Sequence, residues 1–150
     1  MPTVVLDGLF ITPAVTAITE ALASAGAASG TLVVVGHAKL AAALAGKRDV
    51  IAAGLSPRAA KKVPTTRPDT TSLEAGSVAA VIGVDLTDAD DWEATLREWS
   101  RVVKDGGAIV LVDKGRASEA SRRALCAGLS EIEQRHAGRA VVTSGLVTQD

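Results

Sequence analysis

Apolar residues are concentrated in four short runs along the chain. These are Leu32–Val35, Val50–Ala53, Val78–Val84 and Ala108–Val112. Each has the length of a strand and is nearly free of polar residues, a pattern typical of strands covered on both faces of a parallel sheet.

Helical patterns occupy the segments around these runs. They cover Pro13–Ala25, Ala38–Ala45, Ser56–Lys62, Asp90–Val103 and Ser118–His136. In the fourth segment we expect Asp90 as N-cap, and Trp92 and Trp99 fall on one apolar stripe that predicts a core position for both. Strands that alternate with helices predict a three-layer α/β/α sandwich around a mainly parallel, doubly wound sheet.

The length of 150 residues predicts a single minimal domain, with an N-terminal arm and helix in residues 1–30 and a core in residues 31–150. Thr3–Leu6 predicts a short edge strand or extended arm, and Thr12 is expected to cap the first helix at Pro13.

Two later segments complete the pattern. Lys61–Pro68 contains two prolines and predicts a mobile loop. Ala140–Thr148 predicts a closing strand, or a hairpin broken at Ser144-Gly145.

Composition excludes several partner classes. The net charge of -1 gives no basic surface for nucleic acid, and no uncharged apolar run is long enough to span a membrane. A single cysteine, Cys126, excludes an intramolecular disulfide and indicates a cytoplasmic protein. Its apolar surroundings predict a buried, inert thiol.

The second half of the chain carries a family resemblance. Asp69–Ser77, the strand Val78–Val84 and the helix with its Gly-Gly turn in Leu96–Gly107, followed by a strand that ends in Asp113, resemble the class I S-adenosylmethionine-dependent methyltransferases. The resemblance implies a methyltransferase-like Rossmann fold. It also implies that Asp69 and Thr70 meet the adenine of the cofactor and that Gly83 and Val84 line its site.

The first half resembles the family in shape and departs from it in chemistry. In the resemblance, the acid of the first strand is replaced by Val34, the second glycine of the following turn by Ala38, and the ribose-binding acid by Gly54. Gly36, His37, Gly54 and Leu55 then line a vestigial or weak S-adenosylmethionine site.

These departures favour a degenerate methyltransferase-like domain, a pseudoenzyme that acts as a binding, regulatory or scaffolding module, without a catalytic residue, metal or cofactor. The alternatives are an active minimal S-adenosylmethionine-dependent methyltransferase and a nucleotide- or dinucleotide-binding domain. We expect a protein partner or a homodimer, formed through Thr3–Phe10 and Ala140–Thr148, which have little charge.

Three further groups have an ordinary structural explanation beside a chemical one. His37 could form a general base with Asp85 or Asp88, but these acids also suit a solvated loop that caps the next helix. This loop lacks the glycine and distal glutamate of a calcium loop, so we expect no metal. The basic residues Lys61, Lys62 and Arg67 suit a solvated loop or a phosphate contact, and His136 suits the end of a helix.

Overall fold

A computed structural model describes residues 2–25, 27, 29–46, 48–55, 58, 61, 65–67, 69–88 and 90–148. For residues 2–12 and 88 it describes the backbone only, and for all the others it also describes the side chain. Its centre is a seven-stranded sheet in the order β3-β2-β1-β4-β5-β7-β6. The strands are β1 (Leu32–Val35), β2 (Val50–Ala53), β3 (Thr66–Arg67), β4 (Val78–Val84), β5 (Val103–Asp113), β6 (Ser130–Ala137) and β7 (Ala140–Leu146). The first five strands in this order are parallel, whereas β7 is antiparallel to both of its neighbours.

Helices cover both faces of this sheet. They are α1 (Pro2–Ser24), α2 (Ala38–Ala45), α3 (Trp92–Val102) and α4 (Ala117–Cys126), and a short 3-10 turn follows β4 at Leu86–Asp88. The predicted α/β class, the doubly wound sheet and the four apolar strands are confirmed. Among the described residues, no helix is both long and apolar enough to cross a membrane.

The alternation of side chains in β1 separates two apolar cores. Leu32 and Val34 pack with α1 and α2 on one face, and Val33 packs with α3 and α4 on the other. All three side chains are fully buried, because a strand inside a parallel sheet is covered on both sides. This burial explains why the sequence pattern located β1, β2 and β4 with their observed bounds.

The prediction of one long helix over Ser118–His136 is wrong. The helix ends at Cys126, and Ser130–Ala137 forms the edge strand β6. A Schellman motif ends the helix: Gly128 has φ 89°, its N–H donates to the Leu125 carbonyl, and the Leu129 N–H donates to the Ala124 carbonyl.

The structure of β6 corrects two further expectations. His136 lies on a strand instead of near the end of a helix. Because β6 covers β7, Ala140–Leu146 is an interior strand with six buried residues and cannot supply the expected docking surface. It also runs unbroken through Ser144 and Gly145.

The expectation for Thr3–Leu6 is also wrong, since α1 begins at Pro2 and continues through Pro13. Branched residues favour a strand mainly when they can pack on a sheet. Both edges of this sheet are occupied by other strands, β3 and β6, so Thr3–Leu6 has no edge position to fill. Thr12 therefore lies inside the helix instead of capping it. From the other end of α1, Ser24 accepts a 3.0 Å hydrogen bond from Arg135 of β6.

Smaller differences concern the connections. Asp91 occupies the N-cap position of α3, one residue later than predicted, and its side chain forms no capping hydrogen bond. Lys61–Pro68, predicted as a loop, contributes the two-residue strand β3 at the edge of the sheet. The expected helix Ser56–Lys62 lies largely outside the described residues. Only two of its members, Arg58 and Lys61, are described.

Candidate functional site

The candidate site lies where β1 and β4 end side by side. Val35 is paired with Gly83 of β4, while the helix after β1 covers one face of the sheet and the helix after β4 covers the other. The connections from these strands therefore diverge and leave a crevice at the carboxyl edge. In open α/β sheets, ligands bind at such a switch point.

Three neighbouring strands leave this edge through a residue with left-handed backbone. Gly36 after β1 has φ 73°, Gly54 after β2 has φ 69° and Asp85 after β4 has φ 59°. Glycine adopts this conformation freely, and aspartate tolerates it better than most residues. The turn geometry that the sequence suggested for Gly36 and Gly54 is present.

Backbone hydrogen bonds fix these three turns to the adjacent strands. The N–H of Gly36 donates to the Ala53 carbonyl at 2.8 Å, and the N–H of Asp85 donates to the Val112 carbonyl at 2.9 Å. The N–H of Gly54 donates to the Arg67 carbonyl at 3.3 Å. These amide groups are therefore already used inside the sheet.

Space for a ligand remains beside Gly36. Apart from Gly36 itself and its two chain neighbours, no described heavy atom lies within 4 Å of the position that a Cβ atom would take there. At Gly54, a Cβ would stand at ordinary contact distance from Val35, 3.7 Å from its Cγ1 atom.

His37 has a structural role at the start of α2. Its Nδ1 atom accepts a 3.1 Å hydrogen bond from the N–H of Leu40 and so caps the helix. Nδ1 is unprotonated in this arrangement, since it acts as an acceptor. Ala38, the next residue, packs its methyl group against the apolar core.

The two positions at which the cofactor-binding acids are replaced carry no polar side chain in the structure. Val34 is fully buried among apolar side chains on the α1 and α2 face. Gly54 is exposed and offers no side chain. Leu55, beside it, packs against the same apolar core as Val34.

The loop before β4 holds an ionised carboxylate. Oδ1 of Asp69 accepts hydrogen bonds from the hydroxyl of Thr71 at 2.5 Å and from its N–H at 2.9 Å. These bonds, the hydroxyl first, hold the pKa of Asp69 below its ordinary value. Thr70 is buried, and its hydroxyl donates to Oε1 of Glu98 at 3.3 Å.

Arg101 of α3 ties this loop to the body of the protein. Its guanidinium donates to the carbonyls of Leu73 at 3.0 Å and Thr70 at 3.2 Å, and to both carboxylate oxygens of Glu98 at 2.9 and 2.6 Å. In return, the N–H of Gly76 donates to the Arg101 carbonyl. The loop that carries Asp69 is therefore anchored at both of its ends.

Gly83 and Val84 end the central strand β4. Gly83 faces Trp99 of α3, which is 5% exposed and belongs to the second core, as the sequence predicted. Trp92 packs against the same core but is only half-buried, and the guanidinium groups of Arg122 and Arg123 lie 5.6 and 5.1 Å from the centroid of its ring.

A hydrogen-bonded cluster around Asp113 lies behind the crevice and was not predicted from the sequence. Asp113 at the end of β5 is 1% exposed, and its Oδ1 accepts hydrogen bonds from the Thr87 hydroxyl at 2.8 Å and N–H at 3.3 Å. Arg116 and Arg123 donate to the carbonyls of Thr87 and Leu86. The signal was Asp113 itself, a charged residue at the end of an apolar strand, which must be paired when buried.

Two other candidate groups are separate from the crevice. Cys126 is exposed beside Leu125 at the end of α4, so the expectation of a buried thiol is wrong. Ala120 and Ala124 are the residues by which α4 faces the core, so Leu125 and Cys126 lie on its solvent side. No group of three His, Cys, Asp or Glu residues able to hold a metal occurs in the described part of the chain, and the side chain of Asp88 lies outside that part.

The arrangement of strands and helices matches solved methyltransferases. A methyltransferase of Haloferax volcanii, in complex with the Trm112 methyltransferase activator, has a TM-score of 0.71 at 16% identity, over 88% of this chain and 89% of that chain. A SAM-dependent methyltransferase of Aquifex aeolicus has a TM-score of 0.71 at 14% identity, over 95% and 93%. One from Thermotoga maritima has a TM-score of 0.66 at 18% identity, over 80% and 83%.

No protein-family model and no curated protein match the sequence. The likeness is therefore one of fold, carried by the order of the strands and the helices that cover them.

Proposed function

We propose that this chain, which has the fold of the class I S-adenosylmethionine-dependent methyltransferases, is a non-catalytic binding module whose cofactor site is degenerate. The observation that carries the proposal is that neither the end of β1 nor the turn after the neighbouring β2 presents a side-chain carboxylate. Val34 is enclosed in the core, and Gly54 presents backbone alone. Neither position supplies a carboxylate for the hydroxyl or ammonium groups of the cofactor.

The expected loss of affinity is large. A hydrogen bond to a charged group contributes about 1.5–3 kcal/mol, and a position that lacks its partner loses that contribution. With about 1.5–3 kcal/mol lost at each of Val34 and Gly54, the total of roughly 3–6 kcal/mol moves a micromolar site to the millimolar range.

We further propose that the module works through a protein partner in the cytoplasm. The similarly folded Haloferax volcanii methyltransferase is in a complex with an activator protein, which supports a partner for a domain of this fold. Leu125 is the one large apolar side chain that is strongly exposed among those described, at 63%. We therefore expect a small, polar interface with the partner or with a second copy, in place of a large apolar patch.

A second candidate function is an active, minimal methyltransferase. Two observations favour it: the open space beside Gly36, and the ionised Asp69 on an anchored loop. In this alternative, the cofactor lies in the space beside Gly36, whose own N–H is used in the sheet, and is held by the turn after β4 and the carboxylate of Asp69 without the other acids.

Purification under native conditions separates the two candidates. After denaturation, the released small molecules are analysed by mass spectrometry for S-adenosylmethionine and S-adenosylhomocysteine. The binding module is expected to release neither compound. Release of either one in near-equal amount to the protein would contradict the proposal and favour the enzyme.

A further inference from the structure

The strand β2, the loop after it and the edge strand β3 carry a local excess of positive charge. Residues 50–68 contain no acidic residue, although the whole chain has 17 acidic against 16 basic residues. The same segment contains four basic residues, Arg58, Lys61, Lys62 and Arg67. In a protein whose overall charge is close to zero, such a segment attracts an anion to one place on the surface.

The described cations of this segment are not neutralised by described acids. Arg58, Lys61 and Arg67 are all exposed. None of the three forms an ion pair with an acid in the part of the chain that the structure describes. Asp69, the next acid along the chain, has its Oδ1 atom engaged by the N–H and the hydroxyl of Thr71.

Arg67 lies beside the turn that follows β2. It is paired in register with Ala53, and its carbonyl accepts a 3.3 Å hydrogen bond from the N–H of Gly54. Neighbouring strands lie about 4.8 Å apart, so the long side chain of Arg67 starts one strand spacing from this turn. With described residues its guanidinium forms one hydrogen bond, from Nη1 to the Thr66 carbonyl at 3.1 Å. Further N–H donors of the guanidinium are therefore available to a ligand.

The side chain of Arg67 and the turn at Gly54 share the α3 face of the sheet. Val35, Ala53 and Arg67 form one row across three parallel strands, and paired positions direct their side chains to the same face. Val35 and Ala53 belong to the core on the α3 face. The Cβ position of Gly54 lies 3.7 Å from Cγ1 of Val35, so a group placed at this turn lies on that face as well.

The end of the second strand selects the form of the ribose in dinucleotide-binding folds. An acid there accepts a hydrogen bond from a ribose hydroxyl, whereas an arginine nearby accommodates a phosphate on the same ribose. In this chain the position of the acid is Gly54, and its neighbour on β3 is Arg67. A glycine in place of the acid also removes the charge that would repel a phosphate.

We propose that this corner of the crevice binds the ribose phosphate of a nucleotide, with the guanidinium of Arg67 donating hydrogen bonds to the phosphate oxygens. Arginine suits this contact because its planar N–H groups match two oxygens of one phosphate. Arg58 and Lys61 add positive charge in the same segment. The inference rests on the proposed loss of S-adenosylmethionine binding, because both ligands would occupy the same crevice.

Isothermal titration with adenosine 2′,5′-bisphosphate and adenosine 3′,5′-bisphosphate tests the proposal and distinguishes the two positions of the phosphate. Adenosine 5′-monophosphate is the control without the added phosphate, and inorganic pyrophosphate is the control for charge alone. We expect one of the bisphosphates to bind at least about tenfold more tightly than either control. Equal affinity for either control, or no binding of both bisphosphates at about 1 mM, would overturn the proposal.

Two substitutions locate the phosphate. Arg67→Gln is expected to remove the preference for the bisphosphate, and Gly54→Asp to weaken its binding at least about tenfold by charge repulsion. Arg97→Gln, an exposed change beside Cys126, is the matched control and should alter the affinity less than about twofold. Arg67 is exposed, so its variant keeps the fold, which circular dichroism verifies. An undiminished preference in Arg67→Gln would refute the assigned contact.

The affinity for S-adenosylmethionine separates this inference from the proposed function. Weak binding of S-adenosylmethionine without a preference for a bisphosphate contradicts the inference alone. Low-micromolar binding of S-adenosylmethionine contradicts the proposed function and, with it, the inference.

Discussion

The indole ring of Trp99 packs directly against the backbone of Gly83. A Cβ atom on Gly83 would overlap the Cη2 and Cζ3 atoms of the ring. Gly83 therefore has a packing role on the α3 face of the sheet, whatever role its backbone has at the crevice. The absence of a side chain allows a large aromatic residue to close the second core over β4.

Gly83→Ala is expected to destabilise the protein by about 1–3 kcal/mol, because an added methyl group in a filled core forces the ring or the strand to shift. Urea unfolding followed by tryptophan fluorescence measures the effect. Gly36→Ala is a control without a steric clash, although its left-handed backbone carries its own strain. A loss below about 0.5 kcal/mol for Gly83→Ala would show that Trp99 is free to move away.

The capping hydrogen bond of His37 gives a second prediction. His37→Ala removes the acceptor for the Leu40 N–H and is expected to cost about 1 kcal/mol of unfolding free energy, whereas His37→Asn keeps a capping side chain and most of the stability. Chemical denaturation at pH 8 compares the two variants. Equal stability of both would contradict a capping role.

The anchor formed by Arg101 predicts the behaviour of the loop before β4. Arg101→Ala removes donors to the carbonyls of Thr70 and Leu73, so the amides of residues 70–77 should exchange hydrogen faster while those of β4 keep their protection. Hydrogen exchange read by mass spectrometry provides the measurement. Arg97→Ala, an exposed change on the same helix, is the matched control and should leave the loop unchanged.

Glu119 predicts a pH effect. Hydrogen bonds from Arg122 and Arg123 lower the pKa of Glu119 from 4.5 to about 2. A carboxyl group whose pKa is depressed by folding contributes stability above its unfolded value of 4.5, and this contribution is lost as the pH falls toward 2. The stability difference between the native protein and Glu119→Gln should therefore shrink over this interval.

An NMR titration of the Glu119 carboxyl carbon tests the same pair of contacts. Replacement of Arg122 by Gln should move the pKa of Glu119 back toward 4.5, because the hydrogen bond that lowers this pKa most is lost. A midpoint near 4.5 in the unmodified protein would contradict the observed geometry.

The buried strands were predictable from the sequence, whereas the polar edge strand was not. Strands β1, β2 and β4 are buried on both faces, so their apolar runs are continuous and easily recognised. The edge strand Ser130–Ala137 is largely polar, and its glutamate, glutamine and arginine residues favour a helix when considered alone. Gly128 was the available signal, since a glycine in left-handed conformation commonly ends a helix.

The candidate site was predictable in its turns and less so in its side chains. Gly36 and Gly54 follow apolar strands, and this position alone predicts turn geometry. The capping bond of His37 and the contact of Trp99 with Gly83 depend on side-chain directions and on elements distant in the sequence. Such contacts arise from tertiary packing, which periodicity does not encode.

Isothermal titration of the purified protein with S-adenosylmethionine tests the central claim most directly. The degenerate site predicts a Kd weaker than about 100 μM, and the variant that combines Gly54→Asp with Ala38→Gly should bind more tightly, because aspartate tolerates the left-handed backbone at that turn. A Kd in the low micromolar range for the unmodified protein would contradict the account and establish the crevice as a working cofactor site.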